Sequence, residues 1–258
     1  MVNQRIAELL SKAKDPKRVF PATDLYNEGW VLRLVIDWFS RNAQVEFDIG
    51  FSEGSRWYSE ALLPSAFLAR RQGDSLAESW THADGVIGQF LIGENADGDL
   101  SLKEDATQLV VTEAKMFSKL SPGVTNAKYF NQAARNVACI AEIAKRANIP
   151  ASSFEDLAFY VVAPKVRIDE CVFSTQMKKN DIRETVQRRV SEYEDQAKDL
   201  WFEEWFLPVL ETIGVRCISW EEILAVISDH NESDGQELSK FYAKCFAFNK
   251  SVAKRYAH

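Results

Sequence analysis

Three residues of this 258-residue chain have types and spacing that could do chemistry: Asp84, Glu113 and Lys115. Asp84 opens an apolar, β-branched stretch, Asp84–Gly93 (DGVIGQFLIG). Glu113 and Lys115 close another, Gln108–Lys115 (QLVVTEAK). Residues two apart in a strand face the same way, so Glu113 and Lys115 share a face with Leu109 and Val111. Charges buried at the end of an apolar strand are costly unless they are paired or bind metal. Two carboxylates and a lysine would satisfy one another around a divalent cation. Mg²⁺ (or Mn²⁺) wants oxygen ligands and keeps several waters. Asp84 and Glu113 are the metal ligands in this reading, with the Ala114 carbonyl as a further oxygen. A bound cation acidifies its water and stabilises charge on a phosphoryl group. Lys115 would position that water or neutralise the pentavalent phosphate. The plainer alternative is an ion pair at a sheet edge.

Several elements must position these residues. Apolar spacing predicts helices over residues 25–39, capped by Thr23 or Asp24, and over 55–71, ended by Gly73. Ile6, Leu9 and Leu10 suggest an earlier helix, broken at Asp15-Pro16. The pattern then changes to strands at 84–93, 100–103 and 108–115, with a turn cluster at Asn95–Asp99. Helical period returns over 125–147. A buried strand follows at 157–163, then a long helix from Asp181 to about Leu210. A strand at 215–219 and helices over 220–227 and 236–256 complete the chain, with Asn231–Gly235 as a loop. The fold class is α/β, a mixed central sheet flanked by helices in a single domain of residues 1–258. Two strand arrangements remain open. If 84–93 and 108–115 are antiparallel neighbours, Asp84 meets Glu113. If 100–103 is an independent middle strand, the two lie at opposite ends, roughly 25 Å apart at ~3.3 Å per residue.

Asp/Glu-x-Lys occurs twice in the chain, and the other match, Asp15-Pro16-Lys17, lies in a proline turn. Only Glu113-Ala114-Lys115 has an apolar strand before it and a helix behind. With His82-Ala83-Asp84-Gly85-Val86 and Val111-Thr112-Glu113-Ala114-Lys115, the chain resembles the PD-(D/E)XK nuclease superfamily, the restriction-endonuclease-like fold. The resemblance covers about residues 55–163, leaving helical additions at 1–54 and 164–258. It departs from the family pattern in having Ala83 where a proline is usual. It implies Mg²⁺-dependent cleavage of phosphodiester bonds in DNA, with water as nucleophile. It also implies a glutamine on the following helix, matched by Gln132, as a fourth catalytic residue. A glutamate on the helix before the sheet is matched by Glu60, as a further metal ligand, with Glu28 second. Lys119, Lys128 and Arg135 are the candidate nucleic-acid contacts. A catalytically silent interaction or scaffold domain on the same fold is the alternative.

Composition sets the outer limits. Hydrophobic residues are 46% of the chain and charged residues 27%, which excludes a disordered or collagen-like chain. The net charge of −7 averages unlike stretches. Glu192–Glu211 has seven acidic residues and one lysine, whereas Lys240–His258 has five basic residues and no acid. Any binding to nucleic acid is therefore expected at a local basic patch. No apolar run approaches the ~20 residues of a membrane helix, so no membrane partner is expected. Cys139, Cys171, Cys217 and Cys245 show no metal-binding spacing, and reduced thiols in a cytoplasmic protein are the expectation. A homodimer or partner protein would fit a chain with no separate DNA-reading module. The seven tryptophans are expected to lie mostly in the core.

Overall fold

The computed structural model describes residues 22–69, 71–93 and 98–255. The helix around Ile6–Leu10 and most of the Asn95–Asp99 turn lie outside the described residues. In chain order the elements are α1 (Ala22–Leu25), α2 (Glu28–Arg41), β1 (Arg56–Tyr58), β2 (Ala61–Leu63), β3 (Thr81–Ala83), β4 (Gly85–Gly88), β5 (Phe90–Ile92), β6 (Leu100–Leu102), β7 (Gln108–Ala114), α3 (Gln132–Ala147), β8 (Asp156–Ala163), α4 (Lys165–Asp169), α5 (Lys179–Ser191), α6 (Gln196–Trp201), α7 (Leu207–Thr212), β9 (Gly214–Ser219), α8 (Trp220–His230) and α9 (Glu232–Arg255).

The central sheet is mixed and five-stranded, in the order β1-β4-β7-β8-β9. β1, β4 and β7 pair antiparallel, and β8 and β9 extend the sheet in parallel with β7. Every residue of β7 is buried, as a strand covered on both faces requires. One face carries α2, α8 and α9, whose Leu32, Ile36, Trp220 and Ile223 pack on Ile87, Val110 and Val162. The other carries α3 and α5–α7, which pack on Leu109, Val111, Phe159 and Val161. In α3 the alanines 133, 134, 138, 141 and 144 are all buried, so small side chains let that helix lie close to the sheet. Asn131 caps its start and Asn148, at φ 55°, ends it.

The register settles which of the two strand arrangements holds. Gly85 pairs with Thr112 and Gly88 with Leu109, antiparallel. The next position outward sets Asp84 beside Glu113. β6 pairs with β5 in a separate two-stranded ribbon, and so does not intervene. The expected strand at 84–93 is thus split, at Asp84 and at Gln89. The break at Gln89 is deliberate: its side-chain oxygen accepts from the N–H groups of Thr107 and Gln108, replacing ladder bonds where β5 leaves the sheet. Gly88 makes that departure possible, with φ 151° and space for no side chain. Gly85 lacks a side chain for a different reason, since a Cβ there would lie 2.8 Å from Ile36 Cδ1 of α2 and 2.6 Å from Thr112 Oγ1.

Three expectations are corrected. The described residues of 55–71 form no helix. Pro64 has no N–H to give a helix, and β1 and β2 pair instead with β4 and β3. The strand expected at 215–219 is β9 and joins the central sheet, and α2 covers one face of that sheet. The long helix from Asp181 is interrupted at Glu192–Asp195, where Glu194 takes φ 46° and Asp195 caps α6. It is then widened into a π turn at Phe202–Phe206, just ahead of Pro208. The Asn231–Gly235 loop is instead largely the first turn of α9.

A Cβ at position 88 would sit 2.1 Å from the Gln108 carbonyl oxygen. Gly88→Ala should therefore cost on the order of 2–4 kcal/mol, read as a lowered urea midpoint at unchanged slope.

Candidate active site

Asp84 lies in the bend between β3 and β4, and Glu113 near the end of β7. The antiparallel pairing puts their side chains on the same side of neighbouring strands. Asp84 Oδ2 accepts the N–H of Ala114 at 2.7 Å, which fixes one carboxylate against the backbone between Glu113 and Lys115. Lys115 Nζ donates to Glu113 Oε1 at 2.6 Å. Both side chains are largely withdrawn from water, Glu113 at 4% exposure and Lys115 at 13%.

The backbone of Lys115 is held from two sides. Its N–H donates to the Val162 carbonyl at 2.8 Å, and its carbonyl accepts the indole N–H of buried Trp220 at 3.1 Å. β8 and α8 therefore lock the ammonium's anchor in place.

Burial is the largest influence on Glu113, and the Asp84 charge adds to it. Together they outweigh the attraction of Lys115 and push the Glu113 carboxyl up to about 7. Two carboxylates share a site with one ammonium, so the fully ionised site has a negative charge in surplus.

Asp84, Ala114 and Lys115 line a cleft of about 590 Å³ with Asp24, Asn27, Glu28, Gly29, Trp30, Arg33, Glu60 and Asn249, and Glu113 lies behind Lys115 rather than on the cleft lining. The cleft lining holds four acids (Asp24, Glu28, Glu60, Asp84) against two bases (Arg33, Lys115). An anionic substrate would be repelled from it unless a cation came too.

The chain matches no family model, no curated protein and no solved structure.

The remaining expected site residues fall in different places. Glu60 lines the cleft, but from the bend between β1 and β2 rather than from a helix, at φ 60°. Its carboxylate accepts from Arg33 Nη2 at 3.0 Å. Glu28, in the first turn of α2, and Asp24, in α1, reach the cleft from helices preceding the sheet. Gln132 opens α3 but does not line the cleft. Its Oε1 accepts the N–H of Ser121 at 3.0 Å, fastening the segment that leads from Lys115 to α3. Lys119 and Lys128 are exposed on that segment. Arg135, on α3, lies on the Leu109–Val111 face of the sheet, beside buried Glu78, whose carboxyl burial pushes up, and does not line the cleft. It is not placed to touch a ligand in the cleft.

Trp30, Arg33 and Asn249 are cleft residues that sequence reasoning missed. Trp30 and Arg33 are three apart on a helix whose first turn carries Glu28, and that spacing was the available signal. Asn249 belongs to the basic C-terminal stretch, and bonds the Tyr26 carbonyl at 2.8 Å. It brings the end of α9, with Lys250 next in sequence, to the cleft rim.

The donor set suits a hard divalent cation. Two carboxylates carry surplus negative charge, and Mg²⁺ is commonly held by one or two carboxylates with waters and phosphate completing its shell. Among the described residues no group of three or more His, Cys, Asp or Glu side chains is close enough to form an all-protein cage.

Because Glu113 is raised from 4.5 to about 7, its contribution to stability is complete below about 4.5 and is lost as pH rises through 7. Without divalent metal, Glu113→Gln should be more stable than the parent at pH 8, by on the order of 1–3 kcal/mol. The gain should vanish by pH 4.5, as followed by thermal unfolding across that range.

Proposed function

We propose that this protein is a divalent-metal-dependent nuclease that hydrolyses phosphodiester bonds in DNA, on a restriction-endonuclease-like core. The observation that carries this reading is the meeting of Asp84 with Glu113 and Lys115 across the β4–β7 pair, with Asp84 and Lys115 lining an acidic cleft. The order of elements supports it: a helix, antiparallel strands, a helix on the opposite face, and a parallel strand. So does Asn249, a cleft-lining residue within the basic C-terminal stretch of the sequence.

Mg²⁺ or Mn²⁺ held by Asp84 and Glu113 would supply an activated water and stabilise charge on the phosphoryl group. The chain's own residues prepare that chemistry. Asp84 is oriented by the Ala114 N–H, which holds its carboxylate beside Glu113, where the two would share a cation. Glu113 must give up its proton to serve as a ligand. Lys115, anchored through Val162 and Trp220, holds an ammonium beside Glu113, where it orients the nucleophile or meets the developing negative charge.

One feature favours a second reading, a silent interaction domain. Glu113 and Lys115 already satisfy each other in a short, buried pair, which a purely structural role would also produce.

The deciding experiment incubates the chain with plasmid, linear duplex, single-stranded DNA and RNA in Mg²⁺ or Mn²⁺. Cleavage should require the metal and fall about 10²–10⁴-fold in Glu113→Ala and in Lys115→Ala, with circular dichroism unchanged. If every substrate stays intact, the interaction reading replaces this one.

Calorimetry gives an independent check. Mg²⁺ affinity should rise with pH until about 7, with proton release, and level off above, because the ligand form of Glu113 is ionised.

A further inference from the structure

Trp30 is an exception among tryptophans expected to lie mostly in the core. It is 41% exposed, and it lines the cleft with Asp84 and Lys115. An indole exposed to this degree on the lining of a polar cleft offers aromatic surface to a ligand there.

This indole is also held still. Its backbone N–H donates to the Asn27 cap at 3.0 Å. Arg33, one turn further along α2, lays its guanidinium over the ring at 5.4 Å. Arg33 is itself fixed, with Nε donating to Ser59 Oγ at 2.8 Å and Nη2 to Glu60 at 3.0 Å. Ser59 Oγ in turn donates to the backbone carbonyl of Asp84 at 3.0 Å. The ring is thus tied, through Arg33 and Ser59, to the residue that carries the cleft carboxylate.

We propose that Trp30 is a stacking platform for an unpaired base, which makes the cleft selective for single-stranded DNA over duplex. The proposal rests on the nuclease reading above and names its substrate class. In a duplex both faces of a base are covered by its neighbours, so an indole can stack only on a base outside the helical stack. Every base has a π face, so the selection is for strandedness and not for sequence. A volume of about 590 Å³ falls in the range of sites that enclose a small molecule and suits a single nucleotide. A base seated on Trp30 would bring its own phosphate toward Asp84 and Lys115. Arg33 acts here as a positioning residue, with Nε committed to Ser59 and Nη2 to Glu60.

The test compares the full chain with Trp30→Ala and Trp30→Phe on a labelled single strand and on the same sequence as a blunt duplex, in Mn²⁺. Binding is measured in parallel by fluorescence anisotropy in Ca²⁺. Trp30→Ala should lower kcat/KM on the single strand about 5–100-fold, the factor that base–aromatic stacking carries. The single-strand to duplex ratio should fall with it, and Trp30→Phe should keep most of both. Equal loss on the two substrates, or no loss on either, overturns the proposal. If the parent chain cuts neither substrate, the nuclease reading fails and the anisotropy decides. Weaker single-strand binding in Trp30→Ala then sustains the stacking platform, while unchanged or absent binding overturns it.

Discussion

The antiparallel pairing of β4 with β7 is the constraint on which the rest depends. It brings a carboxylate from the start of one strand against a carboxylate and an ammonium at the end of the other. Like charges on paired positions, with Glu113 nearly closed to water, are unfavourable unless something compensates. The compensation on view is partial: one lysine, one backbone N–H and a raised Glu113 carboxyl. An arrangement that keeps unfavourable charge in so rigid a setting is where a ligand of opposite charge would gain most.

Much of the surrounding architecture can be understood as support for that pair. β8 and α8 hold the Lys115 backbone from either side. Gly85, next to Asp84, lets α2 come down on the sheet, and α2 brings Glu28, Trp30 and Arg33 to the cleft. Gly88 and Gln89 turn the chain out into the β5–β6 ribbon, which leaves β4 free to pair with β7 in the register the site needs. Helices on the second face, from α3 to α7, contribute apolar packing and no side chain to the cleft.

Charge is also distributed along the fold with a direction. The acidic stretch Glu192–Glu211 lies on α6–α7 and the π turn, on the face opposite α2. The basic C-terminal stretch runs along α9, on the same face as α2, and meets the cleft at Asn249. A net charge of −7 is therefore compatible with a local approach route for phosphates near the cleft.

Local pattern was enough to determine the strongly periodic elements: the buried strands β7 and β8, the alanine-rich α3, and the amphipathic α2 and α8. It was also enough to single out Asp84, Glu113 and Lys115, because charges at the ends of apolar strands are rare without a reason. Strands of three residues, such as β1 and β2, were not legible at 55–71. Their stability comes from partners 20–30 positions away, and a local window sees only the helical spacing of their apolar residues. The strand register was decided in the same way. Pairing Gly85 with Thr112 depends on how Gly88 and Gln89 divert the chain, and that decides whether the two carboxylates meet or stand a strand's length apart. Sequence named the charged residues; the tertiary structure alone brought them together and surrounded them with Glu28, Trp30 and Arg33, because proximity across a sheet is set by non-local pairing and helix packing rather than by spacing along the chain.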